Sequence, residues 1–396
     1  MKKIKITFLF NQLMTETLCT GGEVRGQIIA DFFQNDKKFD VEVVIPEISL
    51  SSFSNFKKII IGHQYREKRI NNQTLVSAFI LFFLRTIETL YHQSIFKTDI
   101  LYSTGDFFCN TIPSFVIKIL RPKTKFVVCI HHVNSNPFKR KSNSLIANII
   151  SYLVQRLSFF LIKQKADLIF VVNQQVEDYL IKKGFSQPII ITGNGLNTKE
   201  IELQINSVSN IKVTSHIGYF GRLSPTKGSL DLPLILSKVI KKYPKTHLDL
   251  IGIALPEIKK PLIQKFKQFG CSDHYTIHDF VKNKTDVFKI LAKSKVIVFP
   301  SYEEGWGISL FESIMTKRPV VAYDLPIFRE IFNKKLKTAP IGNTKIMSEE
   351  IISFIKNYDS DLTKKYIKNC YSIAKKYDWE NVFLQEKENI NNLFKK

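Results

Sequence analysis

Short apolar runs with strand character alternate with amphipathic helical segments along almost the whole chain, and that alternation leaves few folds open. Residues 4–10, 41–45, 99–103, 126–130, 168–172 and 189–192 read as strands, with helical patterns between most of them. A polar stretch without a clear period follows at 197–210. A second alternating series begins at 217–220 and continues at 248–251, 275–277, 296–299 and 320–322. Such an order predicts α/β architecture with parallel, doubly wound sheets. The break near 197–213 divides the chain into two halves, residues 1–197 and 198–378. Residues 379–396 read as one more helix.

Two domains also suit the length of 396 residues. With 44% hydrophobic and 23% charged residues, the composition excludes a disordered chain. The 58 Lys and Arg against 35 Asp and Glu give +23, which favours anionic partners: nucleotide phosphates, an anionic membrane surface or nucleic acid. No motif that reads RNA or DNA accompanies the charge, so no specific nucleic acid is expected. Five scattered cysteines form no C-x-x-C and no zinc-spaced cluster. They predict no metal site and a reducing, cytoplasmic compartment. The run at 4–10 is too short for a signal peptide and reads as a first strand. The longest apolar span found, 75–84, is about half of what a bilayer helix needs, so no membrane crossing is expected.

Chemistry concentrates in two places of the second half. The segment Y-F-G-R-L-S-P-T-K-G (219–228) reads as a strand, a glycine turn at Gly221, a loop with Arg222 and Lys227, then a helix start. Arg offers a planar fork, Lys a mobile point charge, and a helix start free N–H groups, which together suit a pyrophosphate. The segment F-P-S-Y-E-E-G-W-G-I-S-L-F-E-S-I-M-T-K-R-P-V-V-A-Y-D (299–324) reads as strand, loop, helix, turn and strand. It carries Glu304 and Glu312 with seven residues between them. Retaining glycosidases hold their two carboxylates about 5–5.5 Å apart. Eight helical positions span about 12 Å, which disfavours a hydrolase dyad.

With P-S before the glutamates, G-W-G between them and P-V-V-A after them, this segment resembles the E-x7-E element of the retaining glycosyltransferases of GT-B fold, glycosyltransferase family 4 (glycosyl transferases group 1). The resemblance implies two Rossmann-like domains facing across a cleft, where a nucleotide-diphosphate sugar binds mainly to the second. It implies retaining transfer to a hydroxyl of a glycan or lipid-linked acceptor, with no metal or other cofactor. Arg222 and Lys227 then stabilise the leaving diphosphate, Glu304 faces the donor sugar and Glu312 the ribose; Glu303 is a competing register for the first role. Gly305 and Gly307 allow close approach, Trp306 lies beside them, and amides of Ile308, Ser309 and Leu310 point at the phosphates. In the first half, the glycines Gly21 and Gly22 of T-G-G-E-V-R-G (20–26) border sugar and acceptor. Arg25 meets an acidic acceptor or caps the surface. One of His131 and His132, with His131 favoured, bonds the sugar. Asn194-Gly195 resembles an element at the domain junction. The final helix crosses back to the first domain.

The basic run 139–141 precedes a segment, 145–162, whose apolar residues form one stripe; a core helix is expected ahead of a helix lying on a membrane. N-K-T-D at 283–286 and D-S-D at 359–361 mimic guanine- and metal-binding motifs without their supporting context. The family pattern has glycine where Lys317 stands. A lysine kept left-handed there costs about 1–2 kcal/mol. Two other readings remain open: a sugar-nucleotide epimerase, and a basic, non-catalytic protein that binds polyanions or a membrane surface.

Overall fold

The computed structural model describes residues 3–16, 20–62, 75–138, 145–208, 210–214 and 216–395, with the side chains of Leu75 and Val76 left aside. Cys19 and the basic run 139–141 lie outside these residues. The chain divides into two compact units. Unit 1 holds the described residues up to Gly195 and those from Trp379 onward; unit 2 holds residues 196–378.

Unit 1 runs β1 (Ile4–Leu9), α1 (Gly21–Asn35), β2 (Phe39–Pro46), β3 (Lys57–Ile61), α2 (Leu75–Tyr91), β4 (Ile100–Ser103), α3 (Phe108–Leu120), β5 (Lys125–Ile130), α4 (Leu145–Lys165), β6 (Leu168–Val171), α5 (Gln174–Lys182) and β7 (Ile189–Ile191). Its seven strands pair in the order β3-β2-β1-β4-β5-β6-β7, every pair parallel. The order reverses between β1 and β4. Central strands read as continuous apolar runs because helices cover both faces; Ile6, Phe8 and Leu9 of β1 are fully buried.

Unit 2 runs α6 (Thr198–Ser207), β8 (His216–Phe220), α7 (Leu232–Ile240), β9 (His247–Ile251), α8 (Pro256–Gln268), β10 (Tyr275–Ile277), α9 (Lys284–Ala292), β11 (Ser294–Phe299), α10 (Ile308–Met315), β12 (Val320–Tyr323), α11 (Pro326–Phe332), β13 (Lys337–Ala339), α12 (Thr344–Lys356) and α13 (Asp361–Ala374). Six parallel strands pair as β10-β9-β8-β11-β12-β13, reversing between β8 and β11. Two apolar clusters sandwich this sheet. Helix α14 (Trp379–Asn392) returns to unit 1, where Phe383 stacks on Phe32 and meets Phe33 edge-on.

The structure corrects two expectations and gives the D-S-D stretch, set aside as a mimic, a structural use. The polar stretch 197–210 is largely helical: Asn197 caps α6 by accepting from the amide of Glu200, and few of its residues need burial to hold it on the unit. In D-S-D, Ser360 caps α13 by accepting from the amide of Thr363, a structural use of the motif. The apolar stripe of α4 is not core. Leu145, Ile146, Ile150, Leu153, Leu157 and Phe160 are exposed, while Asn148, Gln155 and Ser158 are buried beside Phe159 and Ile162.

Candidate active site

In a doubly wound sheet, the two loops beside the reversal point splay apart and leave a crevice at the carboxyl ends of the strands. Unit 2 places both expected motifs there. The loop after β8 carries Gly221, Arg222 and Lys227, and the loop after β11 carries residues 301–307. A backbone bond from the Tyr302 amide to the Thr226 carbonyl (2.8 Å) stitches them together. Gly228 closes the first loop at φ +69; a Cβ there would lie 1.9 Å from the Pro300 carbonyl oxygen, so only glycine lets the loops approach this closely.

Lys227 and Glu304 meet across this junction. The Lys227 Nζ lies 2.7 Å from Glu304 Oε1 and donates to the Glu303 carbonyl at 3.3 Å. Ser301 Oγ donates to the same Glu304 oxygen at 2.9 Å. Arg222 is exposed; its carbonyl accepts from the buried Tyr219 hydroxyl (2.8 Å), which fixes the backbone beneath it. Glu312 sits in α10, mostly buried, with both carboxylate oxygens accepting from Lys284 Nζ at 2.7 and 2.9 Å. Each glutamate thus has its own lysine, which is not the arrangement of a shared-proton dyad. Lys284 was missed because it lies in the N-K-T-D stretch set aside as a mimic; it starts α9, and its ammonium also lies 4.9 Å above the Phe220 ring.

Gly307 caps α10 at φ +92, and the half-buried Ile308 and Ser309 form its first turn. Their amides belong to the first helical turn, which lacks intrahelical acceptors and favours an anion. Half-buried Gly305 and Gly221 flank them; a Cβ on Gly221 would lie 3.7 Å from Ser309 Oγ. Two residues expected on the donor face elsewhere. Trp306 is buried in the core, stacked on Phe311 at 5.3 Å and edge-on to Tyr377. Leu310 is fully buried and its amide donates to the Gly307 carbonyl, so it has nothing to offer a phosphate.

Unit 1 gathers its own candidates at the β1–β4 reversal and after β5. Gly21 and Gly22 form the first turn of α1, capped by Thr20, whose hydroxyl accepts from the Glu23 amide while the Glu23 carboxylate accepts from the Thr20 amide. A Cβ on Gly22 would meet the His131 ring at 2.9 Å, so the two are in contact. His131 Nε2 lies 2.8 Å from the Thr104 carbonyl and must donate to it, which leaves Nδ1 as the acceptor. Burial, with Arg25 nearby, pushes the His131 pKa down to about 3 against the pull of that bond. This histidine is neutral over the ordinary pH range. His132 turns away to Asn134 (3.1 Å) and lies near Asp106, whose carboxyl is raised above its usual range by burial, a rise that His132 and Gln155 oppose. Arg25, expected on an acceptor or at the surface, is instead 1% exposed. It binds the Glu386 carboxylate, Thr192 Oγ1 (2.7 Å) and the Gly193 carbonyl (3.1 Å). Asn194 is buried with its side-chain oxygen unpartnered. Among the described residues, no group of three His, Cys, Asp or Glu stands ready to hold a metal.

Comparison with known proteins gives a family match in unit 2 and a fold for the chain. Residues 201–373 match the family described as Glycosyl transferases group 1. A poly(glycerol-phosphate) alpha-glucosyltransferase of Bacillus subtilis (strain 168) is 23% identical over 217 residues, 54% of this chain; the chain spans 30% of that relative's length. The fold matches that of Anabaena HepE in complex with UDP and glucose, with TM-score 0.73 and 17% identity over 98% of this chain and 100% of that one. It also matches a Staphylococcus aureus TarM mutant in complex with fondaparinux, alpha-GlcNAc-glycerol and UDP, with TM-score 0.68 and 13% identity over 99% and 100%. The chain therefore has the two-domain GT-B fold, and within its second unit residues 201–373 match the glycosyl transferases group 1 family.

Proposed function

We propose that the chain is a retaining glycosyltransferase, which moves a sugar from a nucleotide diphosphate to a hydroxyl of a glycan or lipid-linked acceptor. The observation that carries the reading is the Lys227–Glu304 pair at the β8–β11 reversal, flanked by Arg222 and the first turn of α10. As the glycosidic bond breaks, negative charge builds on the diphosphate. Lys227, Arg222 and the amides of Ile308 and Ser309 supply fixed positive potential for it, and this charge set does the work a metal ion would otherwise do. Glu312, held by Lys284, accepts from the ribose hydroxyls. Glu304 is engaged by Lys227 and Ser301, which suits orientation of the sugar and electrostatic support more than nucleophilic attack. Retention then follows from departure and attack on one face of the sugar. His131, neutral and touching Gly22, accepts a hydrogen bond at Nδ1 on the sugar and acceptor side. Both solved relatives are described with UDP, which makes a uridine diphosphate sugar the first donor to test. The four described cysteines are free thiols, which supports a reducing, cytoplasmic setting.

The test is a thermal-shift series with UDP, GDP, ADP and their sugar conjugates, followed by turnover with Arg222→Ala and Lys227→Ala. Loss of one such charge is expected to lower turnover on the order of 10²–10³-fold with the fold intact. Near-wild-type turnover in both variants overturns the assignment. The anomeric configuration of the product, read by NMR, decides retention, and incubation with donor alone separates transfer from epimerisation.

A further inference from the structure

Two helices of unit 1 are built inside out. Helix α2 turns Ser77, Arg85, Thr86 and Thr89 inward and Phe79, Ile80, Phe83, Leu84 and Ile87 outward. Helix α4 does the same, with Asn148, Gln155 and Ser158 inward and an exposed stripe at 146, 150, 153, 157 and 160. Helix α3 joins them: Phe79 lies 5.1 Å from Phe108, and Thr111 Oγ1 donates to Ser158 Oγ at 3.2 Å. It adds exposed Ile119 and Leu120. The inward polar groups are all employed. Arg85 donates to the carbonyls of Asn11 and Leu13, Gln155 to Asp106 and the His132 carbonyl, and Asn148 to the Pro137 carbonyl. The orientation of each helix is therefore fixed by its hydrogen bonds, and the apolar faces stay outside. A soluble chain rarely leaves so large a continuous apolar surface in water without a partner for it.

The charges identify the partner. Helices α3 and α4 contain no Asp or Glu, and the one acidic residue of α2, Glu88, accepts from the Gly62 amide. Arg121 and Lys123 after α3, and Lys163 and Lys165 at the end of α4, stand exposed at the margin. A second copy meeting this face with its own would bring basic margins together with no acidic residue to answer them. Helix α4 is long enough to cross a bilayer, at 21 residues, and its most apolar 18-residue stretch has a mean hydropathy of 1.7. Its bond to α3 and its polar inner face hold it flat on the unit. We propose that the outer face of α2, α3 and α4 docks in the plane of an anionic lipid surface, its apolar stripes entering the acyl boundary and its lysines and arginines meeting the headgroups. The inference stands apart from the sugar-transfer reading, because it uses none of the donor residues.

The full chain is to be floated with vesicles of phosphatidylcholine, with and without phosphatidylglycerol, beside the variant Phe83→Glu/Leu153→Glu/Leu157→Glu. The expected result is capture on the phosphatidylglycerol vesicles, weakened by salt, and a drop of at least about tenfold in the variant. An unchanged far-UV circular dichroism spectrum and an unchanged melting profile certify the variant's fold in unit 1, where its three positions lie. Hydrogen exchange of the wild type, with peptides of α2–α4 protected on adding vesicles, supports the face independently of any variant. Three results overturn the proposal: no capture on either vesicle, equal capture on neutral and anionic vesicles, or a concentration-dependent dimer that the variant abolishes.

Discussion

Glu304 and Glu312 share a sequence motif but not an environment, and their lysines define what each can do. Lys227 comes from the loop after β8, so the ion pair ties that loop to the loop after β11. Lys284 holds both oxygens of Glu312 and fixes the carboxylate plane. Lys284→Ala is expected to weaken nucleotide binding by about tenfold while leaving catalysis by the bound complex nearly unchanged, since it orients a binding group and touches no reacting atom. Calorimetric titration with UDP beside single-turnover rates checks the split; equal losses in affinity and rate would contradict it. His131 gives a pH signature. Its folded pKa, about 3, lies below the ordinary histidine value, so the unfolded chain binds the extra proton first as pH falls. Its contribution to stability is complete above about pH 6.5 and is lost progressively as pH drops toward about 3. His131→Gln is expected to flatten that loss. Urea melts of both proteins at about pH 5 and about pH 8 measure it, and an unchanged difference between the two pH values would refute it.

At the scale of elements, the turn after α10 shows a local strain. Lys317 keeps the left-handed backbone, φ +56, where the family pattern has glycine. Its ammonium lies 5.3 Å from the Tyr371 ring, a contact that offsets part of the cost. Lys317→Gly is expected to raise unfolding free energy by about 1 kcal/mol, and denaturant midpoints at constant slope check it; a destabilised variant would mean the ring contact outweighs the strain. The same scale explains what was legible in the sequence. Both sheets could be read because strands such as β5 and β11 are largely apolar on both faces, a pattern with few alternatives. The edge strands β3 and β13 were not, since Lys57-Lys58 and Lys337-Thr338 look like loop. The two site loops were legible through their glycines and charges. Trp306 and Leu310 were misplaced because a motif gives proximity along the chain and not the direction of a side chain. The stripe of α4 was visible, but periodicity does not tell which side of a helix faces the protein. That side is decided by Asn148, Gln155 and Ser158, whose partners are distant in sequence.

For the whole molecule, the notable connection is that unit 1 is completed by the far end of the described chain. Arg25 of α1 and Glu386 of α14 form an ion pair in which both side chains are almost wholly buried. Tyr102 donates to the other oxygen of Glu386 at 2.9 Å, and Thr192 and Gly193 take the remaining Arg25 donors. Every charge in this cluster depends on the others, so losing one member strands a buried ion. Glu386→Leu is expected to cost unit 1 about 3–5 kcal/mol, and Arg25→Met/Glu386→Leu less than Glu386→Leu alone, because the double variant leaves no buried charge unpaired. Unit 2 contains none of these residues and keeps its own two apolar clusters. The melting profile of Glu386→Leu should therefore separate into an early transition and a later one, with only the later one raised by UDP. A single transition that moves down as a whole and still responds to UDP would show instead that the two units unfold together, with α14 transmitting the loss.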